Sequence, residues 1–91
     1  MGHLHANTDS LTARVRRIAG QLAAIEKAIE ADAPCATVLQ QAAAVRGAVN
    51  GLMDQLIEEH LREHVARPDL SPEARASGTE ELLAVIRRYA K

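Results

Sequence analysis

Three residues of this 91-residue chain could do chemistry together: Cys35, His60 and His64. Thiolate and imidazole are ligands for zinc, copper, nickel and cobalt, and a free thiol is also a nucleophile. His60 and His64 sit four apart in "EEHLREHV", about 40° apart on a helical wheel of 100° per residue. Cys35 lies twenty-five residues before His60 and twenty-nine before His64, which points it about midway between them on the same wheel, on a stripe with Met53. Along one straight helix, however, Cys35 and His60 are roughly 37 Å apart at 1.5 Å per residue. One chain cannot close such a site. An antiparallel copy of the same helix, paired about a twofold axis near residues 48 to 50, brings Cys35 of one chain opposite the two histidines of the other and builds the site twice. His3, His5 and a free α-amine on the N-terminal arm are further donors, the amine being that of Gly2 once Met1 is removed.

These residues must be held by helices. The first eight residues read as a polar arm, and Asp9 or Ser10 can cap a helix whose apolar positions are Leu11, Val15, Ile18, Leu22, Ile25 and Ile29. Their spacing alternates four and three, as in a heptad seam. "EADAPC" breaks that pattern, and Pro34 suits a first helical position. A long second helix then runs to about Val65, with Val38, Ala42, Val45, Val49, Leu52 and Leu56 as its apolar stripe. Gly47 and Gly51 are tolerable in so long a helix and mark close contact with a neighbour. Pro68, Pro72 and Gly78 make "ARPDLSPEARASGTEE" a loop with at most one helical turn. Ser77 and Glu80 then fit a capping box opening a short third helix, "TEELLAVIRRYAK". The expected architecture is one all-α domain over residues 1–91, with medium, long and short helices and residues 1–8 as a flexible arm.

The composition agrees with helices packed on helices. Tyr89 is the only aromatic residue, and Ala, Leu, Val and Ile supply the apolar content. So small a chain has a marginal core by itself, so self-association is expected. One cysteine allows no intramolecular disulfide. There is no secretory segment and no apolar run long enough to span a bilayer, which indicates a soluble cytoplasmic protein. The net charge of −1 does not announce a nucleic-acid binder. Arg14, Arg16 and Arg17 nevertheless cluster where no acid occurs between Ser10 and Ile25, and local patches matter more to DNA than the total. An enzyme is not expected, because no catalytic constellation or Gly-rich phosphate loop is present.

"LTARVRRIAGQL" and "CATVLQQAAAVRGAVNGLMDQLIEEHLREH" resemble the CsoR/RcnR/FrmR family of bacterial repressors, which sense copper, nickel and cobalt, or formaldehyde. The resemblance covers nearly the whole chain. It implies an all-helical protomer, an antiparallel dimer and a tetramer built from two dimers, with a sensing site shared between protomers. It also implies that Cys35 and His60 are the common thiol and imidazole ligands, that His3 and the Gly2 amine are arm ligands, and that Arg14, Arg17 and Arg46 face operator DNA. His64 stands where copper sensors carry Cys and the nickel/cobalt branch carries His. Imidazole in place of a second thiolate argues against Cu(I) and suits Ni(II) or Co(II), with Zn(II) an in vitro substitute. The expectation is a repressor whose apo form binds DNA and whose metal-bound form releases an efflux gene. The rival is a formaldehyde sensor in which a methylene group bridges Cys35 and the Gly2 amine of a neighbouring chain.

Overall fold

The computed structural model describes residues 7–89, which form α1 (Thr8–Glu30), α2 (Cys35–Leu61), a π-helical turn (Arg62–Ala66) and α3 (Pro72–Tyr89). The all-α expectation holds, and among the described residues there is no strand. Two compact units are distinguishable: Asn7–Asp54, made of α1 and most of α2, and the segment from Gln55 onward, made of the end of α2, the π turn and α3.

In the first unit, helix α1 starts at Thr8, inside the expected arm and ahead of the expected Asp9 or Ser10 cap. Its N-cap is Asn7, whose side chain makes no capping bond. The helix ends on a hydrogen-bonded reversal at Ala31–Ala33. Asp32 N donates to Ile29 O at 3.1 Å and Ala33 N to Ala28 O at 2.9 Å. This pairing satisfies the last carbonyls of α1, with Asp32 at φ 56°, a left-handed position that Asp tolerates better than most residues. Pro34 follows. Its carbonyl accepts from Thr37 N at 2.9 Å, so Pro34 sits just before α2 and Cys35 opens it.

The heptad seam of α1 divides in two. Leu11 and Ile18 are buried and Ile25 is partly buried. The alternate positions Val15, Leu22 and Ile29 are 50%, 52% and 62% exposed, so only one side of the seam is covered within the chain. On α2, Val38, Val45, Leu52 and Leu56 are partly buried, whereas Leu39 and Val49 are exposed.

In the second unit, the expected loop between residues 66 and 79 is mostly helix. Arg67 takes extended backbone angles, as a residue before proline prefers, and this ends the π turn. Ser71 then caps α3: its Oγ accepts from Ala74 N at 3.1 Å, and Pro72 occupies the first helical position. The capping box expected at Ser77 and Glu80 is therefore corrected, because both residues lie inside α3. Gly78, expected as a helix breaker, is a buried residue of that helix. Helix α3 packs against the π turn.

Candidate sensing site

The two histidines expected to act together are together. His60 lies one residue before the end of α2 and His64 at the centre of the π turn, and their ring centroids are 4.8 Å apart with planes tilted by 42°. A π turn has i→i+5 bonding and more residues per turn than an α-helix, so each residue rotates by less than 100°. The wheel that placed His64 therefore overstated the rotation between the two rings. Such turns are frequent at functional sites because they re-aim one side chain without ending the helix.

Helix α3 holds this pair from one side. The His60 ring nitrogen Nε2 donates to the carbonyl oxygen of Gly78 at 2.9 Å, since a carbonyl can only accept. That bond places a hydrogen on Nε2. Glu81 Oε1 is 4.0 Å from the same Nε2 and adds a negative charge on that side of the ring. Gly78 is also in contact with His64. A Cβ at position 78 would overlap the His64 carbonyl oxygen and come within 2.8 Å of its carbonyl carbon and its Cβ. One turn earlier on α3, the Arg75 guanidinium donates to Val65 O through Nη1 and to Leu70 O at 3.4 Å through Nη2. Arg75 thus caps carbonyls at the end of the π turn and in the loop beyond it. Thr79 Oγ1 donates to Arg75 O at 2.8 Å within α3.

Around the pair the surface is charged. Arg67 pairs with Asp69 at 2.8 Å and with Glu63 at 3.4 Å, and Arg62 with Glu58 at 3.5 Å. These exposed pairs each contribute about 0–1 kcal/mol. Glu59, between Glu58 and His60, is buried, with 2% of its surface exposed.

Cys35 is an exposed free thiol at the first position of α2, in the other unit. Among the described residues, no three His, Cys, Asp or Glu side chains converge on one point. Gly2, His3 and His5 lie outside the described residues. The described residues thus present two imidazoles side by side in one unit and an exposed thiol in the other.

The arginines expected at DNA differ in setting. Arg17 and Arg46 are exposed, as is Arg16, whereas Arg14 is partly buried. Its guanidinium lies over Gly51 of α2, with Nη1 2.9 Å from where a Cβ would stand. Gly51 thereby gives Arg14 room to lie flat across the neighbouring helix.

Sequence reasoning missed Gly78 and Arg75. Gly78 was visible only as a breaker, since nothing local distinguishes a glycine that ends a helix from one that lets another backbone approach. The pair "SP" at Ser71–Pro72 is an N-cap followed by a first-turn proline, and it is the signal that could have placed Gly78 inside a helix.

The fold is that of a small three-helix protein with an imidazole pair at the end of its second helix. Residues 7–88 match the family described as metal-sensitive transcriptional repressor. The chain belongs to that family, the CsoR/RcnR/FrmR repressors, which regulate transcription and are not enzymes. A protein of Serratia marcescens, described only as an uncharacterized protein in the bioA 5' region, is 53% identical over 91 residues and the match covers 100% of both chains. A transcriptional repressor RcnR homolog of Escherichia coli O139:H28 is 44% identical over 48 residues, 53% of each chain. Among solved structures, a glutamate-to-histidine variant of the formaldehyde-responsive regulator FrmR from Salmonella enterica serovar Typhimurium superposes with a TM-score of 0.89. It is 42% identical, and the match covers 97% of this chain and 99% of that one. Among the described residues, no helix is long and apolar enough to cross a membrane.

Proposed function

We propose that this chain is a nickel- or cobalt-responsive repressor whose apo form binds operator DNA and whose metal-bound form leaves it, derepressing a metal efflux gene. The observation that carries this reading is the imidazole pair of His60 and His64, 4.8 Å apart, with the His60 ring held by the Gly78 carbonyl of α3. Two imidazoles with one thiolate, from Cys35 of a second protomer, suit a borderline divalent ion better than Cu(I), which prefers sulfur. Gly2 and His3 complete the proposed ligand set, and Zn(II) would occupy it in vitro. The partial match to the RcnR homolog supports this branch.

The proposed assembly is a cytoplasmic homotetramer, an antiparallel dimer paired with a second. The uncovered apolar positions Val15, Leu22, Ile29, Leu39 and Val49 support it, because one chain leaves them in water. Arg14, Arg17 and Arg46 are the proposed DNA contacts. Repeated over four chains, they give a basic surface that holds phosphates and makes affinity fall with salt. Metal and DNA are then thermodynamically coupled: whatever factor the metal takes from DNA affinity, DNA takes from metal affinity.

The second reading is a formaldehyde-responsive repressor in which Cys35 and the Gly2 amine of a neighbouring chain are cross-linked. The exposed Cys35 thiol and the likeness to FrmR favour it. One experiment separates the two. Operator affinity is measured with Ni(II), Co(II), Cu(I) and formaldehyde, each against untreated protein. Loss of DNA binding with Ni(II) or Co(II) is expected. Release by formaldehyde alone transfers the assignment to the second reading, and no release by any of the four sinks both.

A further inference from the structure

We infer that Arg75 and Gly78 of α3 are positioning residues that set where His64 stands beside His60. This rests on the reading of His60 and His64 as metal ligands.

Two observations made on different atoms converge on the π turn. Gly78 touches the His64 main chain with no side chain between them, and its carbonyl holds the His60 ring through Nε2. One glycine therefore contacts both candidate ligands: the backbone of one and the imidazole of the other. Arg75 acts on the following residue, since its guanidinium grips Val65 O, and it also reaches Leu70 O. Together they pin the turn on either side of the His64 carbonyl. A π turn needs such support, because its widened hydrogen-bonding ring is less favoured than the α-helix it interrupts.

The magnitude of the displacement makes Gly78 decisive. Ordinary contact to a Cβ begins near 3.4 Å, whereas a Cβ at position 78 would stand 2.8 Å from the His64 carbonyl carbon, so that carbon must retreat by about 0.6 Å. The obstacle is backbone and cannot rotate away. Metal–ligand distances tolerate only about ±0.2 Å. An alanine at 78 therefore moves His64 by more than a coordination bond accepts, while Cys35 and the exposed arginines Arg17 and Arg46, all in the other unit, keep their local structure.

The test uses the full-length protein and Co(II), whose visible absorption reports ligand number and type. Gly78→Ala and Arg75→Met are compared with wild type and with His64→Ala, alone and in combination. Helical content by circular dichroism and operator affinity of the apo protein serve as controls. Each α3 variant is expected to weaken Co(II) binding by roughly 10- to 100-fold, the range for residues that orient metal ligands, and to alter the absorption bands. In the His64→Ala background Arg75→Met is expected to change neither affinity nor spectrum further, because it acts through His64, and Gly78→Ala is expected to keep only the smaller effect passed through its bond to His60. A purely structural role would lower Co(II) binding equally in both backgrounds and overturns the inference. If His64→Ala itself leaves Co(II) binding unchanged, the ligand assignment fails and the inference with it. If His64→Ala weakens binding and the α3 variants do not, the inference alone fails. Arg75→Met inserts no atoms into a packed contact, so it decides the matter if Gly78→Ala does not fold.

Discussion

Replacing a helical glycine by alanine ordinarily stabilises a protein by about 0.5–1 kcal/mol, because alanine has less backbone freedom to lose on folding. Gly78 should reverse that sign. Its Cβ would overlap the His64 carbonyl, and forcing one extra carbon into a packed contact costs about 1–3 kcal/mol. Moving α3 away to relieve the overlap also stretches the bond from His60 Nε2 to Gly78 O, a contribution of about 1 kcal/mol. Set against the propensity gain, a net loss of about 1–3.5 kcal/mol is expected for Gly78→Ala. Gly20 and Gly47 are internal controls, since each is mid-helix and a Cβ on either meets no atom of the chain within 4 Å. Gly20→Ala and Gly47→Ala should each gain about 0.5–1 kcal/mol. The measurement is urea denaturation followed by far-ultraviolet circular dichroism, at one protomer concentration throughout because assembly contributes to stability. With m near 1–3 kcal/mol per molar urea, the Gly78→Ala midpoint should fall by roughly 1 M. A midpoint at or above wild type would show that α3 does not approach the His64 backbone, and the reasoning fails. A loss at Gly47 or Gly20 instead would mean that a second chain lies against that face.

Three further outcomes follow from the geometry. Arg17→Ala and Arg46→Ala should weaken apo-protein binding to operator and to unrelated DNA alike and flatten the salt dependence, read by fluorescence anisotropy between low and physiological salt; unchanged binding at every salt concentration would remove these residues from the DNA face. Ser71→Ala removes the acceptor for Ala74 N and should cost about 1 kcal/mol in the same urea assay, whereas a gain would contradict Ser71 as the cap of α3. Leu22→Glu places a charge on the uncovered side of the α1 seam, where the side chain is 52% exposed. It should lower the assembled mass in analytical ultracentrifugation, and an unchanged sedimentation coefficient would mean that this side faces solvent.

Hydrophobic period carried α1 and α2 because both are long enough for the pattern to outweigh local accidents. Their ends fell within a few residues of expectation, where hydrogen-bond partners rather than periodicity decide. Asn7, Asp32 and Pro34 illustrate this: none belongs to the apolar stripe, yet each sits at a helix boundary within the first unit. Helix α3 was half legible. Its apolar run from Leu82 was visible, but Gly78 and Pro72 were weighed as breakers when one is a first-turn residue and the other a contact. Proline and glycine each have two opposite meanings near a helix, and tertiary context selects between them. The histidine pair was readable from spacing alone because i, i+4 neighbours meet on a regular helix and meet even more closely across a π turn. The turn itself was not readable, since it exists through contacts with a helix that begins six residues beyond it.

The divided seam of α1 bears on the proposed self-association. A seven-residue repeat gives α1 two apolar rows, and a single neighbouring helix can cover only one of them fully. Leu11 and Ile18 take the covered row, and Val15, Leu22 and Ile29 are left with half or more of their surface in water. Burying three such side chains recovers about 1.5–3 kcal/mol each at full burial, so roughly half of that from their present exposure. This is several times the contribution of any surface ion pair around the histidines. Set against an association cost of about 4 kcal/mol or more, that row contributes to the proposed assembly without deciding it alone. The contribution needs no metal, so in the proposed tetramer a site divided between chains would have its partner in place before the ligand arrives. A metal arriving at such a site need not assemble the protein. It has only to change how chains already in contact are arranged, and that is the kind of change an operator bound across several protomers can detect.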